Sequence, residues 1–380
     1  MRILLAGDYP PDPRLGSTKV LVKLQQEFRA LGHDCDVMLA DRLASHPRNG
    51  YARQALGPVA AAHSIHRAIE RGGPYDVVDV ASAEGCWVAA LPRRTIGGAV
   101  VISRSNGLEH LNYHRMLEDH DEGLLHKPWT RRWFHPAFRL TQVAAAARHA
   151  DRLLLLNDGD RDFALARGWQ PRDRIDVVAH GVSSEFLSSA PPADSPRGRG
   201  VLFCGSWTGV KGVSYLVDAF ERLLAVRSDA RLTILGGGIP DADIASGFSV
   251  PARAAVTIVP RSPEPVVMEA YRTHDLLVWP STYEGFGMVV VEAMSQRLPV
   301  VATPVGCAPG LIAHEESGLL VPRRDAAALA ASLDRMLGDS SLRRRCAAAA
   351  FERVRGMTWT NTARETLAVY TRALDAREAA

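Results

Sequence analysis

Residues 284 to 294 read Glu284-Gly-Phe-Gly-Met-Val-Val-Val-Glu-Ala-Met294, directly after the run Asp275-Leu-Leu-Val-Trp-Pro-Ser281. An apolar run stopped by a proline predicts a buried parallel strand. Gly285 and Gly287 permit a tight turn that leaves backbone amides bare, and from Met288 the pattern continues as a helix. Strand, glycine turn and helix N-terminus in succession point free N–H groups above the end of a sheet, where an anion is favoured. Glu284 stands before the helix and Glu292 within its first two turns. Carboxylates accept hydroxyl hydrogen bonds well, so the stretch suits a sugar-phosphate ligand.

Working outward, the first half alternates apolar runs with helical patterns. Strands are expected at 3–6, 35–39, 76–80, 100–103, 153–156 and 175–178, with a helix at about 18–31 after the loop Tyr9 to Ser17. Residues 188–200 are rich in Pro, Gly and Ser and read as a linker. The alternation then restarts, with strands at 201–204, 231–235, near 255–259, 276–279 and 300–302. The tail holds three helical stretches, 326–337, 341–354 and 359–376, the last amphipathic. Such alternation predicts parallel sheets with helices on both faces. Two doubly wound units would bind ligand at the carboxyl ends of their strands.

The chain has 380 residues, 47% hydrophobic and 23% charged, with 45 Lys plus Arg against 42 Asp plus Glu. A net charge of +3 is too even to single out nucleic acid as the partner. Five scattered cysteines, never in a Cys-x-x-Cys pair, read as small core residues in a reducing compartment. The N-terminus opens directly on a strand, and no apolar run reaches the ~20 residues needed to cross a bilayer. A cytoplasmic location is expected. The segment His126-Lys-Pro-Trp-Thr-Arg-Arg-Trp-Phe-His-Pro-Ala-Phe-Arg139 mixes cations with aromatics. It offers a peripheral membrane contact or an acceptor pocket, against an ordinary helix whose arginines are solvated.

The Glu-x7-Glu turn resembles the signature of GT4-type retaining glycosyltransferases (glycosyl transferases group 1), which have the GT-B fold. That resemblance implies two facing Rossmann-like doubly wound domains with an interdomain cleft. The N-terminal acceptor domain would be 1–187, the linker 188–200 and the donor domain 201–357, with a C-terminal helix, 358–380, crossing back onto the first domain. It implies transfer of a sugar from a nucleotide-diphosphate sugar to a hydroxyl of a polysaccharide, lipid-linked sugar or natural-product aglycone. Glu284 and the turn amides (Gly285, Phe286, Gly287, Met288, Val289) would hold the donor sugar, and Glu292 the ribose. Lys211, beside Gly212 after the strand that ends at Gly205, matches the family's Lys-Gly pair that contacts the pyrophosphate. Where many relatives carry an arginine this chain has Ser206, so either Arg14, Lys19 or Arg261 substitutes or the pyrophosphate is held less tightly. Gly16-Ser17 matches a glycine loop in degraded form, Ser17 serving equally as a helix cap. Pro260-Arg261 falls where relatives meet the nucleobase.

In the stretch Ser103-Arg-Ser-Asn-Gly-Leu-Glu-His110, Asn106 takes the place of a family histidine near the reacting carbon. Asn106, Glu284 and Lys211 are the catalytic candidates, and Arg104, Glu109 and His110 the acceptor-side ones. His180 stands where relatives show an asparagine and reads as a turn former. Asp-x-Asp occurs at Asp34/Asp36, Asp158/Asp160 and Asp241/Asp243, at ordinary strand or helix starts. Helix dipoles and Lys211 suffice to stabilise a leaving diphosphate, so no metal or other cofactor is expected. A nucleotide-sugar epimerase of the same fold and a non-catalytic nucleotide-sugar binding protein are the alternatives. A two-carboxylate glycosidase is less consistent, because Glu292 belongs on the ribose.

Overall fold

Twelve short apolar strands assemble into two six-stranded sheets, every pairing parallel. The computed structural model describes residues 1–12, 15–43, 50–123, 129–192 and 195–379, with 129–131 described by backbone alone. Arg14 and the 126–128 part of the cation–aromatic segment lie outside the described residues. The chain divides into two units, 1–180 with 359–380, and 181–358. Both sheets are doubly wound, the topology of the GT-B fold.

The first sheet has the order β2-β1-β3-β4-β5-β6. Its strands are β1 (Arg2–Ala6), β2 (Asp34–Met38), β3 (Val77–Ala81), β4 (Val100–Arg104), β5 (Arg152–Leu155) and β6 (Ile175–Val177). β3 and β4 are buried throughout, as central strands covered on both faces must be. Each nonetheless holds a charge. Asp79 and Ala81 share a face of β3, and Arg104 pairs with Ala81 in register. Arg104 therefore meets Asp79 on the diagonal, with Nε at 3.1 Å and Nη2 at 2.6 Å from the carboxylate. Both are 1% exposed.

Over this pair lies the helix Trp359–Glu378, whose Tyr370 hydroxyl donates to Asp79. Tyr370 also packs on Phe28 of the helix Gly16–Ala30 at 5.8 Å between rings. Thr360 donates to Glu27, and Thr362 to the carbonyl of Ala179 at 2.9 Å. The C-terminal helix is thus part of the first unit's interior, fixed by one buried polar triad and an apolar stripe.

Arg104 and His110 need correction as acceptor-side residues. Arg104 ends a central strand and is committed to Asp79. His110, 8% exposed, packs its ring against Trp169 at 4.8 Å and Phe163 at 5.9 Å. Burial pushes the His110 imidazole down to about 4. His180, 3% exposed, lies against Trp359 and is pushed down to about 3 by burial, with the Arg104 charge adding to it. Both side chains are neutral core members.

The second sheet has the order β12-β11-β10-β7-β8-β9. Its strands are β7 (Val201–Cys204), β8 (Leu232–Leu235), β9 (Val256–Val259), β10 (Leu276–Trp279), β11 (Val300–Ala302) and the two-residue β12 (Leu319–Leu320). The helix Val213–Val226 buries Leu216, Ala219, Phe220 and Leu223, a single stripe at helical spacing. Against it packs the helix Ala326–Gly338, through Leu329, Ala330, Leu333 and Met336.

The described residues of 189–200 (189–192 and 195–200) form no helix or strand but belong to this unit, and the division falls at 180/181 instead of 187/188. Arg197 explains the difference. Its guanidinium donates to the carbonyls of Tyr271 (2.6 Å), His274 (3.1 Å), Gln296 (2.8 Å) and Arg297 (3.1 Å). Phe186, from the helix Ser184–Ser188 just before, is 1% exposed. Breaker-rich composition marked the absence of regular structure, not the absence of anchoring.

Two predictions follow from the first unit. Asp79→Asn, which strands a buried guanidinium, should lower the stability of its unfolding transition in urea by about 3–5 kcal/mol. Tyr370→Phe, which removes one hydroxyl bond, should cost about 1 kcal/mol. Equal costs would mean that Arg104 is not held by charge. The second concerns pH. An unfolded histidine titrates near 6.5, above the folded values of about 4 for His110 and about 3 for His180. The unfolded chain therefore binds more protons below pH ~6.5, and this contribution, complete above that pH, is lost as pH falls. His110→Phe should shrink the stability lost between pH 7 and 5 by about 2 kcal/mol. An unchanged pH slope would show the imidazole to be solvated.

Candidate functional site

In the second sheet the winding direction reverses between β7 and β10, which are neighbours. Turns that follow strands on either side of such a reversal leave a crevice at their carboxyl ends. The turn after β7 contains Lys211 and Gly212, and that after β10 contains Glu284 and Gly287. Gly212 has φ +69° and caps the helix Val213–Val226, while Gly287 has φ +97° and caps the helix Met288–Ser295. Neither position admits a side chain. A Cβ on Gly212 would stand 2.0 Å from the Pro280 carbonyl oxygen, and one on Gly287 would stand 2.4 Å from the Trp279 ring. The turns are tied by Thr282 N–H donating to the Val210 carbonyl at 2.9 Å.

Lys211 and Glu284 consequently form an ion pair, Lys211 Nζ to Glu284 Oε1. Ser281 Oγ donates to the same carboxylate oxygen at 2.8 Å. The two side chains are 26% and 12% exposed, so the pair is reachable while largely desolvated. Gly285, Met288 and Val289 are half-buried beside it, and Phe286 is buried as the turn's apolar anchor. The Phe286 carbonyl accepts from Cys307 N–H at 2.7 Å. The first N–H groups of the helix Met288–Ser295 have no carbonyl within their own helix, and Val290 N–H is taken by the Gly287 carbonyl at 3.0 Å. Glu292, one turn on, is 8% exposed and accepts from the Tyr271 hydroxyl at 3.1 Å.

Gly205 follows β7 with φ +144°. Ser206 is half-buried, and the next residue turns inward. Trp207 N–H donates to the Gly237 carbonyl at 2.7 Å, and its indole packs edge-on to Phe203 at 5.5 Å. Pro260 and Arg261 are exposed after β9, two strands from the reversal. The guanidinium of Arg261 lies beside Gly238, where an added Cβ would stand 3.4 Å from Nη2. Lys19 belongs to the first unit.

The first sheet reverses between β1 and β3. The segments after β1, β3 and β4 bring together Tyr9, Ser82, Glu84, Asn106 and Glu109. Asn106 Nδ2 donates to the Tyr9 hydroxyl at 3.0 Å. Arg139 bridges two carboxylates, with Nε at 2.8 Å from Glu109 Oε2 and Nη2 at 3.2 Å from Glu84 Oε2. Ser82 Oγ donates to Glu109 Oε1. Burial pushes the Tyr9 phenol and the Glu84 carboxyl up, the Glu84 charge adding to the first. Burial also raises Glu109, but Arg139 outweighs it and holds that carboxyl below its ordinary value. Gly16 is exposed and Ser17 half-buried at the start of the helix Gly16–Ala30. Leu15, not Ser17, occupies the cap position. Of this group the sequence pointed to Asn106 and Glu109. Tyr9, Ser82 and Glu84 have no motif, Arg139 ends the cation–aromatic segment quoted above, and only the topology assembles the four. Among the described residues, no group of three or more His, Cys, Asp or Glu is placed to hold a metal ion.

A family model described as Glycosyl transferases group 1 matches residues 198–339, most of the second unit. The chain is 34% identical over 249 residues to a D-inositol 3-phosphate glycosyltransferase of Frankia alni, covering 61% of this chain and 58% of that protein. It spans between about half and three fifths of the length of the first curated relatives it matches. Among solved structures, sucrose-phosphate synthase from Thermosynechococcus elongatus superposes with a TM-score of 0.79 at 21% identity, covering 99% of this chain and 100% of that one. Anabaena HepE, solved with UDP and glucose, superposes with a TM-score of 0.68 at 15% identity, covering 97% of this chain and 98% of that one. Together these similarities show the GT-B fold and, over residues 198–339, a likeness to the glycosyl transferases group 1.

Proposed function

We propose that the protein transfers a sugar from a nucleoside-diphosphate sugar to a hydroxyl acceptor with retention of anomeric configuration. The Lys211–Glu284 pair at the β7/β10 reversal, with two helix N-termini beside it, is the observation that supports this reading most directly. A donor entering the crevice would divide the pair. The diphosphate would take Lys211 and the amides of the Met288–Ser295 helix, and the sugar hydroxyls would take Glu284 and the Gly285–Gly287 backbone. Glu292, which accepts from Tyr271, would take the ribose hydroxyls.

In the reaction the bond from the anomeric carbon to the diphosphate oxygen breaks on the face where the acceptor oxygen bonds. The acceptor proton passes to the departing diphosphate. Lys211 and the helix dipoles stabilise the charge that develops there, so the scheme needs no metal. Asn106 cannot carry a proton, and here it would only hydrogen-bond a hydroxyl. Solved relatives of this fold include one in complex with UDP and glucose, which favours a nucleotide-sugar donor.

The test is thermal stabilisation of the full chain by a panel of nucleoside diphosphates. At 100 times its dissociation constant, a ligand of the native state adds about 2.7 kcal/mol. One diphosphate should stabilise, and Lys211→Ala and Glu292→Ala should each abolish the effect. With the matching nucleotide sugar, free diphosphate should appear only when an acceptor is present. No stabilisation by any diphosphate, or release of free diphosphate without acceptor, would overturn the assignment.

A further inference from the structure

β2 is an outer strand of the first sheet and pairs with β1 alone. Asp34 N–H donates to the Met1 carbonyl at 3.1 Å, and the Met38 carbonyl accepts from Gly7 N–H at 3.0 Å. Backbone groups alternate sides along a strand, so the even-numbered residues bond to β1 while Cys35, Val37 and Leu39 turn theirs outward. Two of the outward carbonyls are already taken. That of Cys35 accepts from Gln25 Nε2 at 3.0 Å and Arg29 Nη2 at 2.7 Å. That of Leu39 accepts from the N–H groups of Arg42 and Leu43, each at 2.9 Å. Val37 lies between these two caps, and neither its N–H nor its C=O has a partner among the described residues.

An open edge is a template for another strand, and this one borders a cavity of about 420 Å³. Val22, Gln25 and Arg29 of the helix Gly16–Ala30 line it on one side, Val37 and Leu39 on the other. At the Leu39 end Asp41 and Arg42 carry opposite charges that offset each other. At the Cys35 end Arg29 is the cation, its side chain 55% exposed and its Nη1 without a partner among the described residues.

We infer that β2 binds an extended peptide segment of a partner protein, which adds antiparallel at Val37 and carries a large apolar residue followed two places later by a carboxylate. One partner residue directly opposite Val37 exchanges both hydrogen bonds with it. Opposed residues share a face of the sheet, so the side chain of that residue enters the cavity beside Val22 and Val37. The two strands run in opposite senses, which brings the residue two places C-terminal opposite Cys35, where Arg29 meets its carboxylate. A second copy of this chain matches the edge less well. Pairing through its own Val37 would bring a leucine, Leu39, to Arg29, and would set the Asp36 carboxylates of the two copies on one diagonal of the ladder. Donor chemistry at Lys211 takes no part in this contact.

Fluorescence anisotropy on the full chain tests this with the labelled, acetylated peptide Ser-Thr-Leu-Thr-Glu-Ser. The peptide should bind, and methylating its leucine nitrogen, which removes the donor to the Val37 carbonyl, should weaken binding at least about tenfold. Lysine in place of its glutamate should weaken binding roughly fivefold, and Arg29→Glu should reverse the order of those two peptides. Amide exchange read by NMR should show the Val37 N–H unprotected in the free chain and slowed by the peptide. Equal binding of the methylated peptide, which is read on the unaltered chain, would overturn the inference. So would a Val37 amide left unprotected at saturation, or no binding of the glutamate peptide. A concentration-dependent dimer that protects Val37 would overturn it as well, because the occupant would then be a second copy.

Discussion

The backbone at Gly212 passes so close to the Pro280 carbonyl that no side chain could lie between them. That contact joins the ends of two strands that are adjacent in the sheet but 75 residues apart at matched positions, Val201 and Leu276. Because the helix after β7 starts there, Lys211 is delivered to Glu284 rather than to solvent. The Thr282–Val210 bond and the left-handed Gly287 maintain the same geometry on the other side. Parallel winding on both sides of the reversal produces the crevice, and the glycines keep it narrow enough for one lysine to reach one carboxylate.

The two reversal points treat charge differently. In the second unit one half-buried lysine faces one carboxylate, with no second charge in the pair. In the first unit Arg139 is fixed between two carboxylates, one of them nearly enclosed. Separating a buried pair costs several kcal/mol, so this group is framework. Arg104 and Asp79, one layer deeper, are entirely structural.

Much of this was legible in the chain. Strands in a doubly wound sheet are short apolar runs at regular spacing, and eleven of the twelve, all but the two-residue β12, announce themselves in this way. The Glu-x7-Glu turn was readable because strand, glycines and helix lie within twenty residues. Arg104 and His110 were misread for one reason: sequence shows that a residue follows a strand, not which face it points to. The register that sends Arg104 to Asp79, and the aromatic wall around His110, are long-range facts. The 188–200 stretch was misread because four backbone carbonyls around one guanidinium leave no compositional trace. Tyr9, Ser82 and Glu84 were unreadable because their separations have no period, and a positive φ at a serine has no signature; Arg139 stood in the cation–aromatic segment, but its two carboxylate partners are long-range facts.

Tyr370 closes over Asp79 from a helix that follows the whole of the second unit in the chain. During synthesis, residues 1–180 emerge with their central ion pair formed on one face only, and Phe28 has no ring to pack against. Residues 181–358 are continuous and need no later sequence. The second unit can therefore finish folding while the first is still open, although the first is translated earlier. For that interval the exposed apolar stripe of the helix Gly16–Ala30 is a surface on which chaperones or neighbouring nascent chains can act.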